Sequence, residues 1–193
     1  MRLAHFLTIL FIFIADQTSK WWVVEHIIKS RALPERADAS GMPFLQWLMT
    51  TAQDRMPYVQ IDVLPFFNLV MVWNKGISFG LFNESTAYGP LLLLIAATII
   101  VISFCLWLRR TDSALVASGL VLIIGGALGN MLDRVRFGAV ADFLDFHVAG
   151  LHWPAFNIAD SAICIGIAML LIHGLFFEAK KDTTAGKEAS PHA

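Results

Sequence analysis

The sequence predicts a membrane all-α bundle of four transmembrane helices, with a small extramembrane β-sheet at one end. Three observations lead there. Hydrophobic residues make up 57% of the 193 residues and charged ones only 15%, well under the roughly 25% usual for soluble domains. Four stretches have the apolar length to cross a hydrocarbon core of about 30 Å, which takes about 20 helical residues. Between the first two stretches, aromatic and branched residues crowd around a turn signal, as paired strands do.

The same composition excludes other classes. The 14 basic residues are balanced by 15 acidic ones, so no broad positive field exists to attract nucleic acid. Cys105 and Cys164 lie inside apolar runs, without the spacing of a zinc site and with no disulfide framework to build.

Taken in order, the first helix, about 3–28, is the least regular. Residues 3–15 are uncharged, DQTSK at 16–20 interrupts, and 21–28 is again mostly apolar. It reads as one helix with polar residues part-way along. Arg2 before an apolar stretch also suits a signal peptide, but Phe13 stands two before Ala15, where cleavage needs a small residue, so an uncleaved anchor is expected. The loop 29–88 follows. Within it MPFLQWLM at 42–49 suits either an interfacial segment or a loop packed on its own apolar side chains. Residues 63–82, VLPFFNLVMVWNKGISFGLF, read as strand, turn at Asn74-Lys75-Gly76, strand. The second and third helices, 89–108 and 113–132, hold no formal charge. A loop over 133–159 leads to the fourth helix, 160–177, and residues 180–193 read as a polar, disordered tail.

Threading four helices puts Arg2, Arg109, Arg110 and the lysines of the tail on one side, so both termini are expected inside. Asp16 then lies about 20 Å along the first helix at 1.5 Å per residue, toward the outer boundary. Asn130, Asp133 and Arg134 end the third helix there, and Asn157 and Asp160 open the fourth. Polar groups within spans are costly and face the bundle interior; several at one depth mark a functional site.

GNMLDRVRFGAVADF at 129–143 and FNIAD at 156–160 bring three carboxylates to that boundary, Asp133, Asp142 and Asp160. Two carboxylates held close share a proton, so that one acts as base on a water and the other as acid. Which two pair stays open at this level. Asp133 adjoins Arg134, which suits an ion pair and a supporting role. Asp142 follows an extended apolar stretch with no neighbouring cation. Asp160, in the first helical turn, fits a catalytic carboxylate or one stabilised only by the helix dipole. Asp16 and Lys20 share a helix face as a local salt bridge that also suits orienting a substrate. Asp145 and His147 read as solvated loop residues, and Gly125, Gly126 and Gly129 as close helix contacts.

Other catalytic sets lack parts. The histidines are scattered with no HExxH, GxSxG and GxxxxGK[ST] are missing, and the cysteines lie mid-span. No metal or other cofactor is expected. A small proton-coupled carrier would also use intramembrane carboxylates, but it would spread them along a path through the bilayer. The central and inner parts of helices two to four hold almost no ionisable group except His173.

DQTSK at 16–20, FNLVMVWNKGISFGLF at 67–82, GNMLDR at 129–134, GAVADF at 138–143 and FNIAD at 156–160, in this order, resemble the lipoprotein signal peptidase (signal peptidase II) family of bacterial inner-membrane aspartic peptidases. The resemblance implies Asp142 and Asp160 as catalytic dyad. It implies Asn130, Arg134 and Asn157 lining the site, and Asp16, Lys20, Asn74, Gly76 and Asp133 as supporting surroundings. It further implies a β-cradle on the periplasmic side of a multi-pass protein with both termini cytoplasmic. The implied substrate is a diacylglyceryl-modified prolipoprotein, cut on the N-terminal side of its lipidated cysteine by a monomer among membrane lipids. Two departures stand out: Ile77-Ser78-Phe79 replaces the small alanine-like pair expected before Phe, and residues 31–60 look like additional sequence relative to a short connection.

Overall fold

In the computed structural model, which describes residues 2–32, 35, 41–51, 56–76 and 89–178, the first helix does not break at its polar residues. Helix α1 (Leu3–Trp21) continues through a π-helical segment (Trp22–Ile28) into the short α2 (Lys29–Ala32). Asp16, Gln17 and Lys20 are buried while Phe6, Phe11 and Ile14 are exposed, so the polar residues turn inward and the apolar ones outward, as lipid demands.

A short helix α3 (Phe44–Met49) lies in the additional sequence. Its Trp47 is buried whereas Leu45 and Met49 are exposed. Helices α4 (Gly89–Leu108), α5 (Ala114–Phe137) and α6 (Ile158–His173, continued by a π turn over Gly174–Glu178) complete the bundle. Among the described residues, four helical stretches, Leu3–Arg31, Leu91–Leu108, Ala114–Phe137 and Ile158–Phe176, are long and apolar enough to cross a membrane. α5 is the hub, packing on α1, α4 and α6. Its glycines let neighbours approach: a Cβ at Gly126 would collide with the Ala159 carbonyl, and one at Gly129 with the Asp16 carboxylate. α4 instead turns Leu91, Ile95, Ile99 and Ile102 outward.

α5 runs past Leu132 to Phe137, so Asp133, Arg134 and Arg136 belong to the helix. Arg134 and Arg136 in its last turn complement the negative end of the dipole. The stop is Gly138 at φ 64, a left-handed conformation that favours glycine. The chain turns there directly into a strand.

Among the described residues, four antiparallel strands, β1 (Val59–Leu64), β2 (Phe67–Asn74), β3 (Val140–Val148) and β4 (Leu151–His152), pair in sequence order. The tight turn of the first hairpin falls at 65–66, not at Asn74-Lys75-Gly76. β2 is a central strand whose other partner is β3, with Val72 opposite Asp142 and Asn74 opposite Val140. That pairing spans two helices in sequence, so local turn signals do not disclose it. The second strand expected over 77–82, the Ile77-Ser78-Phe79 departure and the tail 180–193 lie outside the described residues. Because successive strand residues alternate faces, Ala141 and Phe143 point away from the Asp142 face. They pack with Met71 against Val23, Val24 and Ile28. The π-helical continuation of α1 therefore backs the sheet.

Candidate active site

Three short segments converge at the sheet end of the bundle. The last turns of α5 bring Asn130, Asp133 and Arg134; β3 begins after Gly138 and brings Asp142; the start of α6 brings Asn157 and Asp160. Asn157 is the N-cap of α6 in a capping box: its Oδ1 accepts from the Asp160 N–H (3.0 Å), and its own N–H donates to Asp160 Oδ2 (3.2 Å). That motif satisfies orphan backbone donors and locks the first turn.

The same asparagine reaches the second carboxylate. Its Nδ2 donates to Asp142 Oδ1 at 2.7 Å and lies 3.2 Å from Asn130 Oδ1. Asn130 Nδ2 then donates to Asp160 Oδ1 at 2.7 Å. Two asparagine amides thus tie Asp142 and Asp160 into one cluster. Asp142 is 1% exposed; burial pushes it up to about 7, the Asp160 charge adds to that, and Asn74, Lys20 and Asn157 act in the opposite direction. Arg134 donates to the Asn130 carbonyl at 3.3 Å, and its charge acts on Asp160, Asp142 and Asp133. Asn74, at the end of β2, accepts from the Gly76 N–H at 2.7 Å, with Gly76 at φ 81.

Directly below lies a second cluster. Lys20 Nζ is 2.8 Å from Asp16 and 2.7 Å from Asp133, with all three side chains wholly buried. The expected Asp16–Lys20 bridge is present, but Asp133 pairs with Lys20 rather than with its neighbour Arg134. Adjacent helical residues point about 100° apart, which explains why sequence adjacency misled. Asp133 also accepts from the Ala141 N–H (3.2 Å) and Asp16 from the Ala159 N–H (3.0 Å). The cluster thereby fixes the start of β3 and of α6, the segments that carry Asp142 and Asp160.

Two residues escaped sequence reasoning. Gln17 donates to Asp16 and Asp133, each at 3.0 Å, and Arg136 Nη1 donates to Gln17 Oε1 at 3.3 Å. The available signal was Arg136 three residues after Asp133 on one helix face. Asp145 is a correction: it is a buried strand residue, accepting from Asn68 (2.9 Å) and paired with His152. His147, also on β3, is partly buried and stacks on His152. Among the described residues, no group of three His, Cys, Asp or Glu side chains is arranged to hold a metal ion.

A helical membrane bundle whose end holds two amide-linked carboxylates beside an extramembrane sheet defines a membrane peptidase of the aspartic class. The family model for signal peptidase (SPase) II matches residues 8–176, and the chain belongs to the signal peptidase II family. Relatives named lipoprotein signal peptidase include one from Aeromonas hydrophila, 45% identical over 129 residues (66% of this chain, 77% of the relative). Another, from Methylobacterium sp. (strain 4-46), is 42% identical over 135 residues (70% and 80%). Two solved structures described as a bacterial membrane enzyme obtained by the in meso method match with a TM-score of 0.63 and 25% identity. One alignment covers 91% of this chain and 94% of the other, the second 98% and 94%.

Proposed function

We propose that this peptidase removes the signal peptide from diacylglyceryl-modified prolipoproteins, cutting just before the lipidated cysteine, with Asp142 and Asp160 as the catalytic pair. The observation that carries the reading is the Asn157 bridge, which joins both carboxylates within 3.2 Å. Two carboxylates so placed retain one proton between them. The ionised one takes a proton from water as its oxygen attacks the scissile carbonyl carbon; the protonated one hydrogen-bonds the carbonyl oxygen. Collapse of the tetrahedral intermediate breaks the C–N bond, and a proton passes to the nitrogen. The products are a signal-peptide carboxylate and a free α-amino group on the lipidated cysteine.

A cysteine anchored by acyl chains holds its peptide bond at the headgroup boundary, the depth at which Asp16, Asn130 and Asp160 cluster. The proposed enzyme works as a monomer with both termini cytoplasmic, its site at the periplasmic face of the inner membrane and its apolar bundle accommodating the acyl chains. The test is to incubate purified protein, with a chelator, with a diacylglyceryl-modified precursor and a non-lipidated control. Cleavage of the first alone is expected. Equal cleavage of both, or none of either, refutes the proposal.

A further inference from the structure

The mechanism above uses Asn130 and Asn157 but neither Gln17 nor Arg136. A carboxamide is nearly symmetric in shape, so its hydrogen-bond partners, not packing, decide which end points where. Gln17 is wholly buried. Its Nε2 faces Asp16 Oδ2, Asp133 Oδ1 and the Gly129 carbonyl (3.3 Å), while Oε1 receives Arg136 Nη1. The reverse orientation would set an amide oxygen against two carboxylates and an amino group against a guanidinium.

Arg136 is itself seated by the additional sequence. Its Nε donates to the Thr50 carbonyl at 3.2 Å and its Nη2 to the Trp47 carbonyl. The guanidinium also lies 4.2 Å from the Trp47 ring centroid and 4.3 Å from that of Phe137. Cation–π contact of this kind fixes a planar fork in place.

Asp16, Lys20 and Asp133 hold two carboxylates against one ammonium, so one negative charge is in excess. The Gln17 amino group and the Arg136 charge offset it, which leaves Lys20 a further donor for Asn130 Oδ1 at 3.2 Å. Asn130 faces the same two-ended choice as Gln17. With its oxygen engaged by Lys20 and Asn157, its amino group is turned to Asp160.

We infer that Arg136 and Gln17 are positioning residues for the reaction: Arg136, seated by segment 41–51, orients the Gln17 amide, which balances Asp16 and Asp133 so that Lys20 holds Asn130 against Asp160. The inference rests on the Asp142/Asp160 reading. It also gives the additional sequence a purpose: it supplies the two carbonyls and the aromatic face that aim Arg136.

The full chain, purified as Arg136→Gln, Gln17→Met, their double variant and Trp47→Ala, is assayed on the diacylglyceryl-modified precursor alongside thermal unfolding. Misplacing a reacting group by an ångström costs up to about 100-fold; each single variant at Arg136 or Gln17 is expected to lose about 10- to 100-fold in kcat per folded molecule. KM should stay within about twofold, since substrate contacts are untouched. The double variant should be no worse than the poorer single, because both cut one chain of contacts. Trp47→Ala, which keeps every backbone carbonyl, should lose less, and Arg136→Lys should recover part of the loss. Should Arg136→Gln fail to fold, Gln17→Met and Trp47→Ala decide the matter. Folded variants with wild-type kcat, or losses that multiply in the double variant, overturn the inference while leaving the proposed function standing. A wild-type protein that leaves the lipidated precursor intact overturns the proposed function instead.

Discussion

Two acidic clusters occupy the same end of the bundle and treat charge in opposite ways. In the Asp16–Lys20–Asp133 cluster each carboxylate has an ammonium within 2.8 Å and further N–H donors. In the Asp142/Asp160 cluster the hydrogen-bond donors described are asparagine amides and one backbone N–H, while Arg134 spends its hydrogen bond on a carbonyl. A buried carboxylate with a cation on it is tied into the packing and serves as a strut. A buried carboxylate held by amides, with a second carboxylate beside it, is free to exchange a proton near neutrality. The proposed chemistry rests on that withheld cation.

The largest effect is expected at the proposed catalytic pair. Asp142→Asn and Asp160→Asn keep the shape and most of the hydrogen bonds but remove a carboxyl group of the proposed pair. General acid–base groups contribute about 10²–10⁴-fold, so each variant should lose at least that in kcat with the protein still folded in the membrane, as followed by precursor cleavage and thermal unfolding. Residual activity within about tenfold of wild type would remove the distinction between the clusters.

The paired side should fail by unfolding instead. Lys20→Met leaves Asp16 and Asp133 buried without their cation, and breaking such a pair costs about 3–5 kcal/mol. The expected result is a steep fall in melting temperature in detergent, or loss of the protein from the membrane. An unchanged melting temperature would mean that the lower cluster is not structural.

Much of this was legible in the sequence, and the part that was not has a common cause. The four apolar helices follow from local pattern, whereas β3 (Val140–Val148) lies in the stretch 133–159 that reads as a loop. The pairing of β2 with β3 does not follow either, because it joins residues on either side of two membrane helices. Asp16 and Lys20 at i,i+4 disclosed their own bridge, yet Asp133 completing it, and Arg136 reaching Gln17 across helices, are long-range contacts with no local mark. Asp145 was misread for the same reason: Asn68 and His152, the donors that bury it, come from β2 and β4.

A subtler way to sharpen the contrast is pH. Burial, and then the Asp160 charge, push Asp142 up to about 7, against about 3.9 for a free aspartate. Between those values the folded protein binds more protons than the unfolded chain, so stability falls as pH rises through this window and levels off above it. Asp142→Asn should flatten that slope. Thermal unfolding from pH 4 to 8 measures it; an identical slope in wild type and variant would show that Asp142 is not held protonated.

The smallest expected effect comes from the same strand. Asp145 lies three residues beyond Asp142 and so on the opposite face of β3. Burial pushes it up too, but the hydrogen bonds from His152 and Asn68 and the His152 charge outweigh that and hold it below the usual carboxylate value. Here the folded protein binds fewer protons than the unfolded chain. The contribution is therefore present above the unfolded value and disappears as pH falls through the folded one, opposite in sign to Asp142. His152 is half-exposed and screened by solvent, so His152→Gln should cost well under about 1 kcal/mol. Its loss should appear as a weaker fall in melting temperature as pH drops below about 4, while kcat stays at the wild-type level. A change in kcat would mean that the far end of β3 is coupled to Asp142 along the strand, and the two faces of the sheet could no longer be treated as independent.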